Sequence, residues 1–81
     1  MKIFTFDEKY SVVCNTADTR NGFKHVATLC HNGYEIAKTK ICYINRTWER
    51  FTYEDVLIKI VNDNFEGSAR QKYLDIIAKT N

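Results

Sequence analysis

Residues 19–36, TRNGFKHVATLCHNGYEI, contain two Asn-Gly steps, Asn21-Gly22 and Asn32-Gly33, that lie eleven residues apart. Asn-Gly readily takes positive φ at both centres of a type I′ turn, and the twist of that turn matches a β-hairpin. Strand-like runs flank each step. The stretch therefore predicts three antiparallel strands joined by two tight turns, which is a β-meander.

Further strand-like sequence precedes this stretch. The alternation in KIFTF near the N-terminus predicts a short first strand, and the chain contains no proline that would interrupt a strand. We therefore predict strands at about residues 2–6, 10–19, 23–31 and 34–45.

The register of the last hairpin decides which face of the sheet is buried. A two-residue turn at Asn32-Gly33 would pair His31 with Tyr34 and Leu29 with Ile36. A three-residue loop with a glycine bulge would shift this pairing by one residue, so the core face stays open at this point. In the two-residue register, one face carries Phe23, His25, Ala27, Leu29, Tyr34, Ile36 and Cys42. The other carries Lys24, Val26, Thr28, Cys30, Ala37, Thr39, Ile41 and Tyr43.

The C-terminal third predicts two helices, at about residues 53–64 and 69–79. Thr52 and Asp55 have the spacing of a capping box, and Phe51 and Val56 have that of a hydrophobic staple. The first apolar stripe, at spacings of three and four, comprises Val56, Leu57, Ile60, Val61 and Phe65.

A second helix follows a break at Glu66-Gly67. Ser68 and Gln71 have the spacing of another capping box. The second apolar stripe comprises Ala69, Tyr73, Ile76 and Ile77. Both stripes need a surface to cover, so we predict a single α+β domain over residues 1–81, with a three- or four-stranded antiparallel β-meander packed against two C-terminal α-helices.

Composition favours a small globular protein. The 81 residues are 44% hydrophobic and 27% charged, which is ordinary for one folded domain. We see no signal peptide and no apolar run of the ~20 residues that span a bilayer. The three cysteines, Cys14, Cys30 and Cys42, show no metal-ligand spacing and fit reduced thiols in a cytosolic protein.

Candidate chemistry along the chain is weak. His25 and His31 would lie about 20 Å apart on one strand, too far to share a metal. Cys42 could neighbour His25 across the sheet, but strand cysteines are more often small buried hydrophobes. Glu54 and Asp55 fall in a first helical turn, where they complement the helix dipole. We expect no catalytic residue, no metal and no cofactor; an enzyme would need a site formed between protomers.

Positive charge concentrates in the middle of the chain. Residues 20–50 hold six Lys and Arg against two Glu, a net of +4, whereas the whole chain carries +2. An antiparallel sheet with basic side chains and aromatics suggests nucleic-acid binding, although the overall excess is small for that function. The residues that would serve it are Lys24, Lys38, Lys40 and Arg46.

The segment NRTWERFTY, residues 45–53, joins the last strand to the first helix. Trp48 and Phe51 in such a corner usually close the core. Arg46 and Arg50, however, flank Trp48, and arginine beside an exposed aromatic is typical of a protein-binding hot spot. The partner-binding residues that this alternative predicts are Arg46, Trp48 and Arg50, with Arg20 and Lys24 at the first hairpin.

Two stretches, residues 19–36 and the sequence NRTWERFTYEDVL at 45–57, resemble small, mostly uncharacterised proteins of phages and prophages of Gram-positive bacteria. The resemblance covers about residues 10–60. It implies a non-enzymatic phage accessory protein in the host bacterial cytoplasm. Such proteins often bind and inhibit or redirect a host protein, defence-system inhibitors of the anti-CRISPR type included. We expect a host protein as partner, nucleic acid as the alternative partner, no membrane, and a monomer or homodimer.

Overall fold

The computed structural model describes residues 1–44 and 52–80. A single four-stranded antiparallel sheet has the order β1-β2-β3-β4, and two helices follow it. This confirms the predicted α+β meander with two C-terminal helices. The elements are β1 (Lys2–Thr5), β2 (Tyr10–Thr19), β3 (Gly22–His31), β4 (Tyr34–Ile44), α1 (Glu54–Asn64) and α2 (Gly67–Thr80).

The two Asn-Gly steps behave differently. Asn32 and Gly33 have φ of 53° and 85°, as a type I′ turn requires, and His31 pairs with Tyr34. In the other hairpin Thr19 pairs with Gly22, so the two turn residues are Arg20 and Asn21, and neither has positive φ. The type I′ turn predicted at Asn21-Gly22 is therefore wrong.

Cross-strand pairing explains where the first turn lies. The observed register puts Val12 opposite Leu29 and Thr16 opposite His25. Val12 and Leu29 are fully buried, and the Thr16 hydroxyl hydrogen-bonds the His25 ring. A turn at Asn21-Gly22 would move each of these pairs by two residues, so packing between the strands overrides the preference of one dipeptide.

A β-bulge in β4 changes which face is buried. Leu29 pairs with Ala37 and not with Ile36, because the ladder has an irregularity at Leu29/Cys30. The extra residue flips every later side chain of β4 to the other face. The predicted Leu29–Ile36 pair is therefore wrong, and so is the two-residue face assignment for β4 beyond the bulge, where Ile36 and Cys42 are exposed. The assignment of the β3 side chains to the two faces is confirmed. The shift by one residue arises inside the strand and not in the turn.

One face of the sheet packs against both helices. The stripe of α1 is buried as predicted, except that Phe65 is only partly buried. In α2, Tyr73 and Ile77 are buried and Ile76 is partly buried, whereas Ala69 is exposed and does not belong to the stripe. The buried cluster comprises Phe6, Val12, Cys14, Ala27, Leu29, Val56, Leu57, Ile60, Val61, Tyr73 and Ile77.

Neither predicted capping box forms. Tyr53 precedes α1 and makes no side-chain capping bond, and Asp55 instead accepts a hydrogen bond from the Tyr43 hydroxyl at 3.4 Å. The second helix begins at Gly67, so Ser68 lies within its first turn. Gln71 donates forward to Asp75 at 2.9 Å.

The predicted staple involves Phe51, which lies outside the described residues. Neither described helix is long and apolar enough to cross a bilayer.

Candidate interaction surface

The face of the sheet that the helices do not cover is called here the outer face. Side chains alternate between faces along a strand, so the residues of β3 and β4 that point away from the core can be identified from the pairing. On β3 and β4 they are Lys24, Val26, Thr28, Cys30, Glu35, Lys38, Lys40, Cys42 and Ile44. In the described part of the chain, both helices pack on the opposite face.

Three lysines gather on the outer face and form what we call the lysine patch: Lys24, Lys38 and Lys40. Lys40 lies opposite Val26 on β3, and this valine follows Lys24 by two residues along the strand. All three lysines line one shallow depression of about 320 Å³. The Glu35 carboxylate lies 3.4 Å from the Lys38 ammonium, and both side chains are more than half exposed, so the pair contributes little to stability.

Exposed apolar side chains occur along β4, and one of them, Ile44, lies on the outer face with the lysine patch. Tyr34, Ile36 and Ile44 are 77%, 55% and 77% exposed, and all three belong to β4, an edge strand of the sheet. Tyr34 pairs with His31 and Ile44 pairs with Gly22 at the other end of the strand, so of these three residues the pairing places Ile44 on the outer face. Isolated exposed hydrophobic residues are common on protein surfaces, whereas apolar side chains on an open face that also carries cations supply both contact area and charge. The surface combines apolar contact area with positive charge.

The structure brings together some of the residues predicted for binding. Lys24, Lys38 and Lys40, predicted for nucleic-acid binding, share the outer face. Arg20 is exposed in the β2–β3 turn, at the end of the sheet where Gly22 pairs with Ile44. The other predicted residues, Arg46, Trp48 and Arg50, lie outside the described residues.

His25 is a buried polar residue of the core face. Its Nδ1 lies 2.9 Å from the Thr16 hydroxyl, which also lies 3.0 Å from the Tyr53 hydroxyl. The rings of Phe23, Tyr43 and Tyr53 surround the imidazole at centroid distances of 4.8–5.3 Å. This network joins β2, β3 and β4 to the start of α1, which is a structural role.

The interpretation of Cys42 as a neighbour of His25 is wrong. His25 pairs with Ile41, whereas Cys42 pairs with Lys24 on the outer face. Cys14 is buried in the core, and this burial raises the pKa of its thiol to about 12, so the side chain stays protonated at neutral pH. Within residues 1–44 and 52–80, no three His, Cys, Asp or Glu side chains are grouped as metal ligands.

Asp7 connects the β1–β2 loop to α2, a feature that sequence reasoning missed. Its Oδ1 accepts the backbone N–H groups of Lys9 and Tyr10 at 2.9 and 2.8 Å, and its Oδ2 accepts the Tyr73 hydroxyl at 2.7 Å. The Lys72 ammonium lies 3.5 Å from Oδ2. An aspartate after a strand suggests a local turn from sequence, but nothing in the sequence pattern predicts the contact with α2, 66 residues away.

Hydrogen bonding at this site shifts two pKa values in opposite directions. The bond from Tyr73, and then the N–H group of Tyr10, lower the pKa of Asp7 to about 2. Burial, and then the bond to Asp7, raise the pKa of Tyr73 to about 12. At neutral pH the carboxylate is therefore charged and the phenol is protonated, which is the arrangement of a stable charge-assisted hydrogen bond.

Comparisons with known proteins do not add to this picture. No family model, curated protein or solved structure matches the chain. We therefore base the proposal of a function on the chemistry of the described surface.

Proposed function

We propose that this protein is a non-enzymatic binding module that docks on another protein through the outer face and the edge strand β4. The observation that carries the proposal is the lysine patch on the open outer face, with the exposed Ile44 on the same face and the exposed Tyr34 and Ile36 farther along the same edge strand. Protein interfaces combine an aromatic and aliphatic centre with a polar rim, and a few well-placed side chains supply most of the affinity. The raised pKa of Cys14 argues against a thiolate nucleophile there.

The partner we propose is a host protein that the module inhibits or redirects, including a component of a defence system such as a CRISPR nuclease. The resemblance to small phage proteins of Gram-positive bacteria supports this choice. The segment with Arg46, Trp48 and Arg50 follows directly after the exposed Ile44. We propose that these three residues and the exposed Arg20 also bind the partner.

The experiment is an affinity pull-down from a Gram-positive bacterial lysate, with and without nuclease, followed by mass spectrometry. The test variant is Ile36→Ser/Ile44→Ser, and the matched control is Ala69→Ser on the exposed side of α2. We expect a defined protein to be recovered by the wild type and the control in both samples. The test variant should lose about tenfold or more in affinity, because it removes hot-spot contact area.

Two results would contradict the proposal. The first is equal recovery of the same protein by all three baits. The second is a free energy of unfolding that falls in the test variant by more than the roughly 2 kcal/mol that lost β-propensity at two exposed strand positions can explain, which would show that these isoleucines belong to the core. A parallel variant, Arg46→Ala/Arg50→Ala, should weaken binding of the same partner while leaving thermal stability nearly unchanged.

Nucleic-acid binding is the second candidate, because the lysine patch places three cations on one open sheet face. If each lysine contacts one phosphate of a single strand, affinity should fall about 20-fold between 50 and 200 mM salt. The assay is fluorescence anisotropy with a single-stranded oligonucleotide, and the variant is Lys24→Gln/Lys38→Gln/Lys40→Gln. In a plot of log affinity against log salt concentration, the variant should reduce the steepness of the slope by about two. Absent or salt-independent binding would remove this candidate.

A further inference from the structure

At the opposite edge of the sheet, β1 has backbone hydrogen-bonding groups that no other described strand pairs with. In the described part of the chain β1 pairs with β2 alone. The Phe6 N–H donates to the Tyr10 carbonyl at 3.0 Å, in register with the β1–β2 ladder. Because alternate residues of an antiparallel pair exchange hydrogen bonds, Phe4 and Lys2 also bond towards β2. Ile3 and Thr5 therefore direct their backbone N–H and C=O groups away from β2, towards the open edge of the sheet.

An apolar groove lies beside this edge. It has a volume of about 250 Å³ and runs between β1 and the helices. Its apolar lining comprises Ile3, Phe4, Phe6, Leu57, Ile76 and Ile77. Lys2 is the only charged residue among the described lining residues, and its ammonium lies 5.1 Å from the centre of the Phe4 ring. The groove is thus apolar along its length and cationic at one end.

We propose that the β1 edge binds an extended peptide segment of a partner, which adds antiparallel to β1 as a fifth strand. An extended main chain is the partner that can satisfy the outward groups of Ile3 and Thr5 in a regular ladder. Alternate side chains of the segment, about 7 Å apart, then lie on the groove side. The residues opposite Phe6 and Phe4 are apolar, and the residue opposite Lys2 is acidic by charge complementarity.

The other sheet edge is less suited to strand addition. In β4 the residues that direct their backbone groups outward include Lys38 and Lys40, and a bulge interrupts the strand near Ile36. Lysines and bulges are the features by which proteins protect edge strands from pairing. In β1 the corresponding outward residues are Ile3 and Thr5, which carry no charge.

A second copy of the chain fits the β1 edge less well than an acidic segment. Two-fold pairing that exchanges bonds between Ile3 and Thr5 would place each Lys2 opposite Phe6 of the other copy. Such a pair offers no carboxylate directly opposite the lysine. Dimer formation through β1 is therefore an outcome that the test must distinguish from peptide binding.

The probe is a set of fluorescein-labelled pentapeptides Φ-Thr-Φ-Thr-Glu, in which Φ is Val, Ile, Leu or Phe. In the proposed register, peptide residues 2 and 4 bond to Thr5 and Ile3, and the glutamate lies opposite Lys2. We expect at least one peptide to bind with a Kd below about 1 mM by fluorescence anisotropy. N-methylation at peptide residues 2 and 4 should weaken binding about tenfold or more, because it removes the donors that face β1.

N-methylation at peptide residues 3 and 5 is the matched control, because those N–H groups point away from β1. In the protein, Thr5→Pro removes an outward donor and should abolish binding, whereas Thr5→Val keeps the donor and should retain it. The Ile36→Ser/Ile44→Ser variant should bind the peptides like the wild type, which separates this site from the proposed function of the outer face.

Three outcomes would overturn the proposal. The first is that no peptide in the set binds at about 1 mM. The second is that both methylation patterns weaken binding equally. The third is that sedimentation shows a dimer that Thr5→Pro converts to a monomer, because a second copy would then occupy the edge.

Discussion

Asp7→Asn is the sharpest test of how the loop between β1 and β2 is held against α2. The asparagine oxygen can still accept the backbone N–H groups of Lys9 and Tyr10, so the local turn is kept. With that oxygen at the turn, the amide Nδ2 replaces Oδ2, so the Tyr73 hydroxyl loses its acceptor at 2.7 Å and the Lys72 ammonium loses the carboxylate at 3.5 Å. Any loss of stability therefore reports on the contacts of Asp7 with Tyr73 and Lys72 and not on the turn.

The lowered pKa of Asp7 sets the size of the effect. A fall from 3.8 to about 2 corresponds to about 2.4 kcal/mol, at about 1.36 kcal/mol for each pKa unit. The Asp7 side chain is 25% exposed, so solvent screens part of this interaction. We expect Asp7→Asn to lower the free energy of unfolding at pH 7 by about 1–2 kcal/mol, or the melting temperature by roughly 5–10 °C.

The pH dependence gives the sign of the effect. A carboxyl group with a lowered folded-state pKa stabilises the protein above its unfolded pKa, near 3.8, and this stabilisation is lost as the pH falls towards 2. The difference between wild type and Asp7→Asn should therefore shrink across this window. The assay is urea unfolding from pH 7 to pH 2, and carboxyl NMR of Asp7 measures the pKa directly.

Glu8→Gln is the matched control, because it removes the same charge from the neighbouring exposed residue. We expect its free energy of unfolding to stay within about 0.5 kcal/mol of the wild type. If Glu8→Gln and Asp7→Asn destabilise equally, net charge is responsible and the hydrogen bond to Tyr73 is not. A difference between wild type and Asp7→Asn that persists unchanged at pH 2 would also refute the reasoning.

Three further predictions concern the sheet. A thiol reagent should modify the exposed Cys42 rapidly and Cys14 only on unfolding, since burial raises the pKa of Cys14 to about 12; fast labelling of Cys14 would contradict its burial. Thr16→Val should lower the free energy of unfolding by about 1 kcal/mol in urea, because the buried histidine loses a hydrogen bond, and an unchanged midpoint would argue against that bond. Gly33→Ala should cost about 1–2 kcal/mol at a φ of 85°, whereas Asn21→Ala in the other turn should cost less; equal losses would contradict the difference between the turns.

Side-chain periodicity predicted most of the fold but only part of the candidate surface. Lys24, Lys38 and Lys40 could be grouped from charge alone, and the pairing of β3 with β4 places them on one face. The exposure of Ile36 could not be predicted, because it depends on a bulge that the two-residue register omits. The β1 groove was also missed, since its lining comes from three elements far apart in the chain.

Local sequence alone was enough for the four strands, the two helices and the Asn32-Gly33 turn. Alternation, helical spacing and the backbone freedom of Asn-Gly act between residues close in the chain. The position of the first turn, the bulge in β4 and the bond between Asp7 and Tyr73 required the tertiary structure. Each of these depends on which distant side chains pack together, and packing energy outweighs a local preference of about 1 kcal/mol.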